Sequence, residues 1–457
     1  MRRQIDKKDL LSGSIIRHVL RLAIPMIIAF VFVTSYHFVD RFFVSRLGDV
    51  ATAAIGMAFT VQMVLISVGS GVGMGINSFI ARNLGAGKKE DAENGALHAF
   101  FLGAAIGLTF AILGLIFQRP LFRLIGAEGI LLTYILDYLT IIFLFTPINF
   151  IGMFSNSIFQ GWGDTVSPMK FMLIGNILNL IFDPLLIFGI GPFPELGIRG
   201  AALATGIGRG VSLLYVMYKV FIKYKPTRLS FSRFKIHSRI IMGILQVGLP
   251  SSLSQILTSI AMGFVFYILD PFGPNARAAY TIVFTYEMVV FLPAIGISQA
   301  VSILTGHNFG ARLLDRVDKV YFTGIAVAFG MMLIPAAIIF LIPTFFAGVF
   351  ARSPEVLHIA SEALKITSVG FAFNSIYLCS VAAFQGLGLG RQYLWANIFR
   401  LYILLVPATY LGAHFLQETG VWYALMGVNI GSAFGVFLWH RFLNHFLIRS
   451  GKIQPIS

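Results

Sequence analysis

Two carboxylates, Asp40 and Asp183, stand inside runs of otherwise apolar residues. Tyr36 and His37 precede Asp40 by four and three residues, a spacing that crowds all three onto one helical face. Met172, Asn176, Asn179 and Asp183 recur at intervals of four, three and four, so three polar side chains share one stripe of a helix that is apolar elsewhere. Such a stripe must face protein or water. A charged side chain at the centre of a membrane helix costs about 2.5–3.5 kcal/mol, which makes each one a functional candidate. The chemistry open to a sequestered acid is exchange of a proton or binding of a cation in the physiological range. Simpler readings stay open: Asp40 paired with Arg41 or Arg46 near the outer interface, and Asp183 solvated at a helix end before Pro184. His37 reads first as a hydrogen-bonded interior histidine, and with Met172 and Asn176 it is placed along a substrate cleft. Asp137, Arg209, Glu287, Lys365 and Arg400 also fall inside apolar runs; the three basic ones can snorkel or pair, and Glu287 either lines a cavity or makes a structural hydrogen bond.

The elements that must position these residues follow from composition. The chain has 457 residues, of which 57% are hydrophobic and only 12% charged, against about 25% charged in soluble domains. This excludes a soluble enzyme carrying one anchor, and the single cysteine, Cys379, excludes a disulfide-stapled secreted fold. Apolar runs long enough to cross a bilayer fall near 22–45, 52–78, 95–117, 130–155, 170–190, 200–221, 240–269, 279–304, 320–346, 357–383, 393–415 and 421–443. Twelve spans are therefore predicted, in an all-α integral membrane protein. With a cytoplasmic N-terminus, 24 Lys and Arg fall in inside segments and six in outside loops, the bias that orients membrane proteins. The net charge of +15 thus reports topology and calls for no nucleic-acid partner. Both termini are expected in the cytoplasm and the protein in the cell's inner (plasma) membrane. No cleavable signal peptide is expected, because the first 20 residues are polar and basic and the run that follows is long enough to span.

Sliding the chain over itself by 225 residues aligns Leu20 with Leu245, Pro25 with Pro250, Gly48 with Gly273, Asn83 with Asn308 and Gly85 with Gly310. The register survives to Phe159-Gln160-Gly161 on Phe384-Gln385-Gly386 and Gly163 on Gly388. The chain reads as two six-helix copies. Because six is even, both enter the membrane from one side and are parallel repeats. The expected division is an N-terminal lobe over 1–222, a basic cytoplasmic linker over 223–239 and a C-terminal lobe over 240–457. Neither acid recurs: Asp40 aligns with Val265, and Asp183 falls near Val406 to Ala408. Parallel repeats around a central seam are an architecture of secondary transporters. No phosphate-binding loop, paired-histidine metal spacing or nucleophile triad is visible, so no enzyme activity, cofactor or metal is expected.

In these features the chain resembles the multidrug and toxic compound extrusion (MATE) transporters over essentially its whole length. The resemblance rests on the twelve spans in two lobes and on Ala81-Arg82-Asn83-Leu84-Gly85-Ala86 after the second span. The Phe-Gln-Gly-x-Gly motif after the fourth and tenth spans, Asn179-x-x-x-Asp183-Pro184 in the fifth, Gly200-Ala201-Ala202-x-Ala204-Thr205 opening the sixth, and Gly248-Leu249-Pro250-Ser251-Ser252 in the seventh carry it further. It implies a V-shaped pair of lobes with a central cleft, driven by proton or sodium antiport. The nearest branch is the DinF-like and archaeal one, whose matching coupling positions here are Tyr36, Asp40, Tyr138, Asn179, Asp183 and Thr205, with bending of the first helix at Pro25 linked to protonation. Where the NorM-like branch carries acids in the seventh and tenth helices, this chain has Thr258 and Asn374. The loop Gly191-Pro192-Phe193-Pro194-Glu195 is longer than in the favoured branch, which loosens the match at Thr205 relative to Asp183.

The expected function is a monomeric antiporter that exports drugs or lipophilic, cationic small molecules in exchange for protons or sodium, with lipids and the small-molecule substrate as its partners. A flippase for lipid-linked saccharides predicts more cationic residues in the cavity and often extra helices. A membrane sensor predicts binding without flux.

Overall fold

Short polar turns between long apolar runs leave the chain few options in a bilayer, where every backbone N–H and C=O must find a partner within its own helix. The computed structural model describes residues 10–223 and 235–443, apart from the side chains of Tyr36, His37, Phe38, Val39, Arg41 and Lys223. Most of the basic linker therefore lies outside the described residues.

The first half contains α1 (Ile15–Ser45), α2 (Asp49–Gly85), α3 (Lys89–Leu124), α4 (Gly129–Gly161), α5 (Val166–Phe188) and α6 (Ile198–Met217), which runs on as a π-helical turn, Tyr218–Lys223. The second half contains α7 (Ser238–Leu269), a 3-10 turn at Asp270–Phe272, α8 (Gly273–Val290), α9 (Leu292–Gly310), α10 (Leu314–Leu341), the short α11 (Pro343–Phe350) and α12 (Pro354–Leu387). It ends with α13 (Gly390–Ile398), a π-helical turn at Phe399–Leu405 and α14 (Val406–Leu443). Among the described residues, ten apolar stretches are long enough to cross a membrane. Two of them, of 53 and 54 residues, are interrupted at the Asp270–Gly273 segment and at Leu416–Gln417, which divides the described stretches into twelve.

Two departures from the sequence reading have local causes. The eighth span is two helices, α8 and α9, that meet at Phe291, because Pro293 at the start of α9 supplies no N–H to continue α8. The ninth span stops at Leu341 and restarts at Pro343 for the same reason. The eleventh and twelfth spans part inside α14 at Leu416–Gln417, as expected, by a turn so tight that Gln417 adopts φ 55°, a region costly for a side-chain-bearing residue. Gly412 and Gly420 face each other across that turn; a Cβ on Gly420 would lie 1.9 Å from the Gly412 carbonyl oxygen.

By their internal contacts the residues group into two units. One comprises Met1–Ile27, Ala81–Gly87 and Leu249–Ser457, the other Ile28–Ile80 and Lys88–Gly248. In the former, a core forms around Trp422, Tyr280 and Phe371, with the Tyr280 and Trp422 rings stacked at 6.4 Å. One close contact in it joins the last turn of α2 to the last turn of α9. A Cβ on Gly85 would fall 2.0 Å from the His307 carbonyl oxygen, and one on Gly310 would fall 2.0 Å from that of Arg82. Both pairs are equivalent under the 225-residue offset. Leu10, Ser12 and Gly13 lie over the same region, their carbonyls accepting from Asn308 Nδ2 at 3.5 Å and from Arg316 Nη2 and Nη1 at 2.8 and 3.1 Å. In the other unit, Phe110 of α3 stacks on Phe150 of α4 at 5.7 Å. His98 of α3 accepts the His237 backbone N–H at 2.9 Å. Large apolar side chains such as Ile222, Leu214 and Leu438 remain exposed, as expected of surface that meets lipid chains.

Candidate functional site

Helices α1, α2, α4, α5 and α6 bring one polar cluster together inside the second of these units. Asp183 is wholly buried and Asn179, one turn earlier on α5, nearly so. Asn179 Nδ2 donates to Thr205 Oγ1 at 3.1 Å, tying α5 to α6. Asp40 of α1 is half-buried and is the acid that Asp183 meets. Tyr138 of α4 accepts from Gln62 Nε2 of α2 at 3.1 Å and lies in the field of Asp40, Asp183 and Arg209. The stripe on α5 therefore does face protein, with Met172 and Asn176 half-buried along it.

The cluster's distinguishing property is a surplus of acceptors. Both carboxylate oxygens of Asp183 are buried without a hydrogen bond of good geometry, as is Asn179 Oδ1. Asp40 and Asn179 approach Asp183 closely enough to interact with it electrostatically and as hydrogen-bonding neighbours, but not in that alignment. Buried acceptors left unmatched cost about 1–3 kcal/mol each, and two carboxylates side by side call for a positive charge between them. A shared proton would supply it. So would a cation held by carboxylate, amide and hydroxyl oxygens, all of which are present.

Of the residues singled out from sequence, Asp40, Asp183, Asn179, Thr205 and Tyr138 are brought together. The side chains of Tyr36 and His37 lie outside the described residues, although both positions belong to α1. Pro25 sits within α1 without ending it. Gln62 was not anticipated, and its only sequence signal was an amide inside the apolar second span. Arg209, read as a cation that snorkels or pairs, lies within electrostatic reach of Tyr138. Arg46 sits over the Phe42 ring at 4.8 Å. Asp137 pairs with Arg199 at 2.7 Å in a largely exposed contact, and Lys365 lies over the Phe340 ring at 5.7 Å.

A repeat of six spans per copy, with the Asp40 and Asp183 pair in one copy only, defines the chain as a multi-pass membrane protein of transporter architecture. The MatE family model matches it twice, over residues 25–185 and 250–411; the two matches begin 225 residues apart, the offset found in the sequence. The chain belongs to the MATE family of transporters. It is 29% identical to the FAD transporter of Shewanella oneidensis over 93% of this chain and 94% of that one. It is 28% identical to the probable multidrug resistance protein YoeA of Bacillus subtilis over 91% of this chain and 90% of that one. An outward-facing multidrug resistance MATE family transporter of the MOP superfamily superposes with a TM-score of 0.92 at 32% identity, covering 98% of this chain and all of the other.

Proposed function

We propose that the protein is an antiporter that expels drugs or other lipophilic and cationic small molecules, coupled to inward movement of protons or sodium. The observation that carries the reading is Asp183, wholly buried beside Asp40, Asn179, Thr205 and Tyr138 with both carboxylate oxygens to spare. The corresponding positions of the other copy, Val265 and Ala408, have no ionisable group. The relatives named for multidrug resistance support the cargo class.

In this mechanism an empty, charged cluster favours a cationic substrate. Arrival of a proton or sodium ion neutralises the carboxylates and redirects the Asn179 amide that now bonds Thr205. With its charge gone, α1 bends at Pro25, where one backbone hydrogen bond is already missing, and substrate leaves. Exchange then follows from a difference in affinity between two states. The proposal includes a monomer in the plasma membrane with both termini in the cytoplasm, lobes over 1–222 and 240–457, and membership of the DinF-like branch.

The test is ethidium efflux from cells or proteoliposomes under an imposed proton gradient, and separately a sodium gradient. Asp40→Asn and Asp183→Asn should each abolish gradient-driven efflux at unchanged expression. Full efflux in both variants removes the mechanism.

A further inference from the structure

The second half has no counterpart of the acid pair, but it holds a cation of its own. Arg400 lies in the π-helical turn Phe399–Leu405, a geometry that is rare and frequently marks functional sites. Its Nη2 donates to Asn429 Oδ1 of α14 at 2.8 Å, and its guanidinium carbon lies 4.4 Å from the centroid of the Tyr377 ring on α12. That ring is itself fixed, because its hydroxyl donates to Asn397 Oδ1 at 2.9 Å and Asn397 Nδ2 donates to the Tyr393 carbonyl at 2.9 Å. The guanidinium plane is thereby set by a stacking face below and an amide at one corner.

A guanidinium carries five N–H donors in a rigid fork. Asn429 takes one of them and the Tyr377 hydroxyl lies within hydrogen-bonding reach of the fork, which leaves the remaining N–H groups along its other edge. Glu287 of α8 is within electrostatic reach, yet the two groups form no ion pair within 4 Å among the described residues. A cation kept only to brace the fold would be expected to close that pair, since an unpaired charge in this setting is costly. Nearby on α12, one turn before Tyr377 and on the same helical face, Asn374 is 2% exposed and its Oδ1 has no partner.

We propose that the interior of the second half binds the carboxylate or phosphate of an anionic solute on the free edge of Arg400, with Asn374 Oδ1 accepting a hydrogen bond from a hydroxyl or N–H of the same solute. Bidentate seating on a planar fork distinguishes such anions from halide or bulk charge. Glu287, within electrostatic reach of the guanidinium, opposes the arrival of an anion there. The inference extends the transport reading by naming a second class of cargo. Binding is measured without any ion gradient, so its failure leaves the acid-pair mechanism standing, and loss of efflux in the Asp40 or Asp183 variants leaves this site untouched.

The experiment uses the purified full chain in nanodiscs, with fluorescence polarisation of two anionic probes, fluorescein for a carboxylate and flavin adenine dinucleotide for a diphosphate, and of cationic ethidium. Arg400→Gln should weaken at least one anionic probe by roughly tenfold or more and leave ethidium unchanged; which probe responds separates carboxylate from phosphate. Arg400→Lys, which keeps charge but loses the fork, should recover only part of the affinity. Glu287→Gln should tighten anion binding, an effect that a merely structural arginine would not produce. The proposal is overturned if neither anion binds the wild type, or if Arg400→Gln binds both as the wild type does. Should Arg400→Gln lower the melting temperature, Glu287→Gln decides alone, and anion binding no tighter than wild type overturns it.

Discussion

Replacing Gly85 by alanine should impair transport although the residue touches no candidate coupling group. The added Cβ would stand 2.0 Å from the His307 carbonyl oxygen, 2.8 Å from its carbon and 3.0 Å from its Cα. Carbon and oxygen begin to attract at about 3.3 Å, so the last turns of α2 and α9 must separate by about 1.3 Å. All the opposing atoms are backbone, and no side chain can rotate away to absorb the clash. Overpacking of this kind costs about 1–3 kcal/mol. In the antiport cycle proposed above a second conformation would open this crossing, and there the extra methyl would cost nothing. The variant should therefore shift the balance between the two by about 5- to 150-fold against the state described here. Gly310→Ala, with its Cβ 2.0 Å from the Arg82 oxygen, should do the same. The double variant should cost less than the sum, since both changes separate one pair of helix ends. The assay is ethidium efflux alongside an interspin distance between labels on the ends of α2 and α9. Gly330→Ala is the control, because nothing lies within 4 Å of its Cβ position. Normal efflux with an unchanged distance in Gly85→Ala would refute the reasoning.

Thr205→Ala should remove the acceptor of Asn179 Nδ2 and lower stability by about 1 kcal/mol. Measured by efflux at stepped external pH or sodium, it should also change the dependence on the coupling ion more than the maximal rate. Arg199→Gln should shift melting negligibly, because the Asp137 pair is mostly exposed and such pairs are screened by solvent. Trp422→Ala, by contrast, empties the centre of a fully buried core and should cost about 3–5 kcal/mol, read as a lower melting temperature in detergent.

Much of the fold was legible because membrane helices announce themselves by length and apolarity, and because a duplication leaves like residues at one fixed offset, as Gly85 and Gly310 show. The acids were legible for a related reason: in a chain with 12% charged residues, a carboxylate inside a span stands out, and the 3.6-residue period placed Asn176, Asn179 and Asp183 on one face. Partnerships were not. Gln62 meets Tyr138 across 76 positions of sequence, and nothing local to either residue specifies the other. Arg400 was visible as a charge, but its setting depends on a π-turn, a ring on α12 and an amide on α14, three elements that only tertiary packing assembles. Breaks at Phe291 and Ile342 were missed because a proline within an apolar run can equally be absorbed, as Pro25 and Pro250 are within α1 and α7.

The crossing of α2 and α9 bears on how such a chain arose. Gly85 meets His307 while Gly310 meets Arg82, and the offset maps each pair onto the other. In two separate half-length chains this would be an isologous dimer contact, with one patch pressed against its own copy about a two-fold axis. A symmetric dimer cannot give one subunit acids and the other an arginine, since every mutation appears twice. Joining the copies end to end lifted that constraint. The glycine crossing is what remained common to both halves, while Asp40 and Asp183 were kept on one side and Arg400 on the other.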